Sequence, residues 1–274
     1  MSIRNEYLGF LKSLPLWENE SLFGMHLFDF DAINRIAPSF EEPKLTLHEN
    51  EVLGKRIECF FDYYIQKSKR YHTLIKNKQI FDDKITIGEL DFILRDKKED
   101  KVLHVEFVYK FYLYNPMIEG ELNRWVGPNK NDTLLCKVKK LKNKQFPLLY
   151  KNETQKTLKE NGIKTDSIYQ KIAFMGCLFI PLSLQNQKMP FLNSNCIVGF
   201  WLKSESFVKE VYGAFQFFIP VKKDWIVNPE NCKDWLTFKD ARQQVHAVIS
   251  KKRSPLVWMK TSGTKCQRFF VVWW

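Results

Sequence analysis

The chain has no C-x-x-C pair, no Cys/His cluster and no glycine-rich phosphate loop. Its six cysteines (Cys59, Cys136, Cys177, Cys196, Cys232, Cys266) stand far apart, which excludes a zinc site of the usual ligand spacing. A chain of 274 residues buries enough surface to need no disulfide frame. The longest apolar run, Ile172 to Leu182, is about half the length that crosses a bilayer, so no membrane partner is expected. No apolar leader segment follows Met1, and the expected location is cytoplasmic with reduced thiols. Heptads, internal repeats and low-complexity tracts are absent as well. Acidic residues are in deficit: 31 Asp and Glu face 43 Lys and Arg, a formal net charge of +12. That surplus suits a polyanionic partner, nucleic acid before membrane, and equally suits a lysine-rich surface that only maintains solubility. With 45% hydrophobic and 15% aromatic residues, disorder is excluded.

What is present is a stretch of β-formers interrupted by charge. Lys84 to Leu113, KITIGELDFILRDKKEDKVLHVEFVYKFYL, spells two strands joined by a charged turn, Arg95 to Lys101. Alternation places Ile85, Ile87, Glu89, Asp91 and Ile93 on one face of the first strand. It places Val102, His104, Glu106, Val108, Lys110 and Tyr112 on one face of the second, opposite an apolar face from Leu103 to Leu113. Asp91, Glu106 and Lys110 therefore need a partner, a metal or open solvent, because an unpaired buried charge costs as much as a domain's whole net stability.

Upstream, residues 48–68 predict a helix with the stripe Leu53, Ile57, Phe60, Phe61, Tyr64 and Ile65. Glu58 lies at the border of that stripe, where it is either an ordinary boundary residue or a carboxylate reaching the sheet. Thr73 to Phe81 predicts a further strand, and helix plus three strands implies an antiparallel meander. Short N-terminal helices are expected at Glu6 to Leu14 and Asp29 to Ala37. Downstream, NPMIEGELNRWVGPNKND is a loop, and Asp132 is placed to cap a helix over Thr133 to Lys144. Leu134, Val138 and Leu141 form its apolar stripe, which Gln145 continues. The lysines around it, Lys137, Lys140 and Lys144 among them, suit either a solvated face or contact with phosphates. Beyond Thr165 strands dominate: Ile168 to Ile180, Cys196 to Leu202, Ala214 to Val221, and a hairpin from Leu256 to Trp274 that follows a helix at Phe238 to Ile249.

GELDF, HVEFVYKFYL and WVGPN-x2-D-x-L-x2-K resemble DUF1853, a family of uncharacterised bacterial proteins. A helix with Glu58, strands with Asp91 and Glu106, and a following lysine further resemble the PD-(D/E)XK nuclease superfamily. The implied fold is α/β (α+β): a restriction-endonuclease-like core over residues 49–150, a mixed sheet flanked by helices. An N-terminal packing arm, 1–48, precedes it, and a strand-rich part, 151–274, packs on it. The implied function is Mg²⁺- or Mn²⁺-dependent hydrolysis of nucleic acid, DNA before RNA. Asp91 and Glu106 would hold the metal, Glu58 would assist, and Lys110 would be the catalytic lysine. Lys137, Lys140, Lys144, Gln145 and Asn129 would contact nucleic acid. One departure stands out: the superfamily lysine follows the glutamate by two residues, where this chain has Val108, and Lys110 lies ~13 Å along the strand from Glu106. A nuclease-like protein that binds nucleic acid or a protein partner without cutting is the alternative, as is a same-face Glu106–Lys110 ion pair.

Overall fold

The computed structural model describes residues 2–18, 21–30, 45, 47–184, 190–229, 232, 234–262 and 265–274. Ser2 opens helix α1 (Ile3–Leu11) by accepting the Asn5 N–H. This helix starts and ends three residues before the stretch that the sequence suggests. The helix expected over Asp29 to Ala37 lies largely outside the described residues. Helix α2 (Leu53–Lys67) follows its apolar stripe, with Ile57, Phe60, Phe61 and Ile65 wholly buried. Arg56 is buried beside them and is neutralised by Glu6 of α1 through hydrogen bonds of 2.6 and 2.7 Å. Two planar groups bonded in this way satisfy each other's donors and acceptors, which makes burial of the pair tolerable. At the end of α2 the Ser68 hydroxyl accepts the N–H groups of Arg70 and Tyr71 and turns the chain into the first long strand.

Three strands form the expected antiparallel meander: β1 (Tyr71–Asp82), β2 (Ile85–Asp96) and β3 (Lys101–Tyr114). Asp83 (φ 52°) and Asp100 (φ 48°) turn the chain between them in the left-handed region that short polar side chains tolerate. The chain then crosses over the sheet through helix α3 (Leu134–Lys140) and helix α4 (Asn152–Glu160) into β4 (Ile168–Pro181). Strand β4 pairs with β3 in parallel from Val102↔Ile168 to Leu113↔Phe179. After β5 (Ile197–Lys203) come the short β6 (Gln216–Phe218), helix α5 (Phe238–Ile249), and the hairpin of β7 (Leu256–Ser262) and β8 (Lys265–Val272). Strand β6 is shorter than the Ala214 to Val221 stretch suggests. The hairpin is as expected, although Gly263 and Thr264 of its turn lie outside the described residues.

The result is one mixed sheet in the order β1-β2-β3-β4-β5-β8-β7-β6, with a two-residue strand, Trp125–Val126, pairing at the end of β3. Helices α1 and α2 pack on one face, where Phe92, Leu103, Val105 and Phe111 meet Phe10, Phe60 and Phe61. Helix α3 packs on the other, where Leu134, Val138 and Leu141 meet Val108 and Tyr112. No helix among the described residues is long and apolar enough to cross a membrane.

Candidate functional site

The site forms where the sheet splits. Pairing of β2 with β3 runs from Asp96↔Lys101 to Phe92↔Val105 and stops there, while β3 continues on β4. The next pair in register would be Asp91 and Glu106, which places both carboxylates on one face at the mouth of the fork. The Asp91 Oδ2 accepts the Phe107 N–H at 2.9 Å and so satisfies a backbone donor that has no ladder partner on β2. Gly88 lets the departing strand run close under the α3 crossover, because a Cβ there would fall 2.5 Å from Leu148 Cδ2. The sequence expectation that Asp91 and Glu106 share a face holds in the structure.

Glu106 is wholly buried and bonded on both oxygens. Its Oε1 lies 3.0 Å from His104 Nε2, and its Oε2 accepts from Gln145 Nε2. The histidine tautomer follows from its other side: Gln170 Nε2 donates to the Phe146 carbonyl at 2.7 Å and sits 3.1 Å from His104 Nδ1. The amide nitrogen has a second hydrogen for Nδ1, so Nδ1 accepts and Nε2–H donates to Glu106. Burial keeps this imidazole neutral by lowering its pKa to about 4, against the pull of the Asp91 charge.

Both acids are pushed towards their protonated forms. Burial, then the Glu106 charge, raises Asp91 to about 8 despite the Phe107 N–H, and Glu58 adds to the rise. Burial raises Glu106 to about 7 despite the Lys137 charge and the bonds to Asp91 and Gln145. The two carboxyls are close enough for the Glu106 charge to act on Asp91. Near neutral pH, with no cation bound, the pair retains protons that a solvated pair would have released.

The amine beside these acids is Lys137, not Lys110. Lys137 Nζ donates to Gln145 Oε1 at 3.0 Å, so one amide bridges lysine and glutamate. Burial, then the Lys140 charge, lowers Lys137 to about 8, while Asp91 and Glu106 hold it up. The bridge depends on helix shape. After Lys140 the helix opens into a π turn, Leu141–Gln145, before a last helical turn at Phe146–Leu148. In a regular α-helix Lys144 would lie above Lys137, seven residues away. The i→i+5 geometry adds one residue to the turn and brings Gln145 there instead. Lys140 and Lys144 remain exposed.

Lys110 lies on the same strand face as Glu106, but its Nζ donates to Asp132 Oδ2 at 2.7 Å, so no Glu106–Lys110 pair forms. The WVGPN loop builds that contact: the Gly127 N–H donates to the Asp132 carbonyl, and a Cβ at Gly127 would strike Asp132 Oδ1 at 2.2 Å. Asp132 is thereby engaged elsewhere, and Thr133 caps α3 by accepting the Cys136 N–H. Asn129 ties the loop to the C-terminal part, its Oδ1 accepting the Ser254 N–H at 2.9 Å. Glu58 stands near enough for its charge to act on Asp91, but its carboxylate is bonded to Lys55 at 3.0 Å. Among the described residues no three His, Cys, Asp or Glu side chains gather closely enough to hold a metal.

Asp91 and Glu106 alone still fit a hard cation. Mg²⁺ binds through one or two carboxylates and keeps most of its waters. Asp91 Oδ1 and the remaining lone pairs of Glu106 are the oxygen donors such an ion takes. His104 completes the surroundings of Glu106 and is itself held by Gln170, and periodicity alone could not assign these contacts.

No curated protein and no solved structure matches the chain. A family model does, over residues 31–272, which takes in the fork, the α3 crossover and every strand of the large sheet. The chain thus belongs to the family described as a domain of unknown function, DUF1853.

Proposed function

We propose that the protein is a divalent-cation-dependent phosphodiesterase that cuts nucleic acid, DNA before RNA. The observation that carries the reading is the juxtaposition of the buried Glu106 carboxyl and the half-buried Asp91 carboxyl at the fork with Lys137, which the Gln145 amide links to Glu106. Two adjacent acids, one wholly and one half buried, with no arginine against them among the described residues are costly, and Mg²⁺ or Mn²⁺ displacing the protons they retain would relieve that cost. When bound there, the cation supplies Lewis-acid stabilisation of charge on a phosphate and acidifies a coordinated water. Asp91 and Glu106 would hold it, and the Glu58 charge on α2 would add to the negative field around it. His104 and Gln145 fix the orientation of Glu106, as neighbours of metal-binding carboxylates commonly do.

Lys137 takes the role that the resemblance assigns to Lys110. An amine with a pKa of about 8 exchanges protons readily near neutral pH, and in its charged form it stabilises an anionic phosphate. Exposed Lys140 and Lys144 continue the positive charge along the helix beside the site and suit the phosphate backbone. Asn129 anchors the loop behind this surface.

The test is degradation of plasmid DNA with Mg²⁺ or Mn²⁺, with Asp91→Ala as the control, together with Mn²⁺ titration calorimetry. The reading expects Mn²⁺ binding that releases protons near pH 7, and cleavage that the control lacks. Absence of Mn²⁺ binding by the wild type ends it. Mn²⁺ binding with no cleavage of DNA or RNA instead favours the alternative, a nuclease-like protein that binds without cutting.

A further inference from the structure

On the sheet face opposite Glu106, a cavity of about 520 Å³ opens between α1 and the strands β4, β5 and β8. Its volume is in the range of small-molecule sites. Among the described residues no Asp or Glu lines it, although Lys12 and Arg268 both do. Glu18 comes nearest, accepting from Asn195 Nδ2 at 3.4 Å, and is not part of the wall.

Among the described residues no acid holds Arg268. Its Nε donates to the Val198 carbonyl at 3.3 Å, and its only other polar contact among the described residues is a weak one to Cys177 Sγ at 4.0 Å. Its guanidinium lies 5.4 Å from the Trp258 ring centre and 5.9 Å from that of Phe179. A guanidinium has five N–H donors, so most of this one is left for an acceptor. Trp258 also lines the cavity, and its buried indole N–H has no acceptor among the described residues. Gly199 sets the geometry: a Cβ there would fall 2.1 Å from the Arg268 carbonyl, so only glycine lets β5 approach β8 this closely. Arg268 and Lys12 bring donors to it, and Leu8, Val198 and Trp258 supply apolar wall beside them.

We propose that this cavity binds a small amphipathic organic anion, its oxyanion head taken by Arg268 and Lys12 and its apolar body laid against Trp258. A planar guanidinium with a second cation matches the oxygens of a carboxylate, sulfonate or phosphate. The described wall residues include no carboxylate to repel such a head. The site is independent of Asp91 and Glu106, which lie across the sheet.

Fluorescence titration of the full chain with 1-anilinonaphthalene-8-sulfonate tests this, because that probe joins one sulfonate to an aromatic body. Saturable binding at one site per chain is expected. Arg268→Gln and Lys12→Gln should each weaken it by roughly tenfold, as should replacing the probe by uncharged N-phenyl-1-naphthylamine. Circular-dichroism melts establish that each variant is folded. Lys12 is at the end of α1, outside the core, so Lys12→Gln decides the matter if Arg268→Gln does not fold. No saturable binding by the wild type, or wild-type affinity in the folded Lys12→Gln variant, overturns the proposal.

Discussion

Lys110 and Glu106 share a strand face, yet the Lys110 amine is bonded to Asp132 at 2.7 Å while the amide of Gln145 links Glu106 to Lys137. A lysine from a helix therefore stands where strand geometry alone would put one from the sheet. The two lysines should separate in experiment. Lys137→Ala is expected to lower single-turnover cleavage by about 10²–10⁴-fold, the usual range for a positioned proton-transfer group. Lys110→Ala should lower it less than about tenfold and cost at most ~1 kcal/mol of stability, because its ion pair is half-exposed. The reverse ranking would return the catalytic role to Lys110.

Gln145 is the joint between Lys137 and Glu106, and its replacement should act through both. Gln145→Leu keeps the bulk of the side chain but removes the donor to Glu106 and the acceptor for Lys137. Mn²⁺ affinity measured by calorimetry should fall by about 10–100-fold, as for other partners of metal-binding carboxylates. Unchanged affinity would mean that the bridge serves folding alone.

Stability should depend on pH in a defined direction. Asp91 rises from 3.8 to about 8 and Glu106 from 4.5 to about 7, so between those limits the folded chain holds more protons than the unfolded one. What these acids contribute is complete below their unfolded values and is lost as pH climbs through the folded ones. His104, lowered from 6.5 to about 4, works the other way over that interval. The decline is therefore steepest between about pH 6.5 and 7 and continues to about pH 8 through Asp91. In metal-free urea denaturation at pH 8, Asp91→Asn should be more stable than the wild type by roughly 1–3 kcal/mol, with the gap closing towards pH 4. Saturating Mn²⁺ should reverse the order. A wild-type stability flat from pH 6 to 8 would count against the paired burial.

Any nucleic-acid affinity should fall steeply with salt, since lysines that meet phosphates release counterions. Lys140→Glu with Lys144→Glu should flatten the slope of log affinity against log salt by roughly 0.9 for each phosphate that the variant no longer neutralises. Binding to duplex DNA by fluorescence anisotropy over a salt series gives the slope directly. Wild-type slope in that double variant would move the nucleic-acid surface off the α3 crossover.

Local periodicity determines much of this protein. Alternation gives Asp91 and Glu106 each a face of its own strand and lets the two coincide, a helical stripe alone locates α2, and short charged turns make the meander antiparallel. Each depends on neighbours in sequence, where strand and helix geometry leave few choices. The sequence could not say that β2 would part from β3 after Phe92, because register ends where packing against other elements outweighs the ladder. Nor could it say that a π turn would bring Gln145 over Lys137, or that Gly127 would admit Asp132 to hold Lys110. The buried Glu6–Arg56 pair and the cavity joining Lys12 to Arg268 are of the same kind, built from residues distant along the chain. Which charges face the same way was written in the residues. Which of them touch was decided by the packing of helices and strands far apart in sequence, since a few ångströms of displacement determine whether a lysine meets an aspartate or a glutamate.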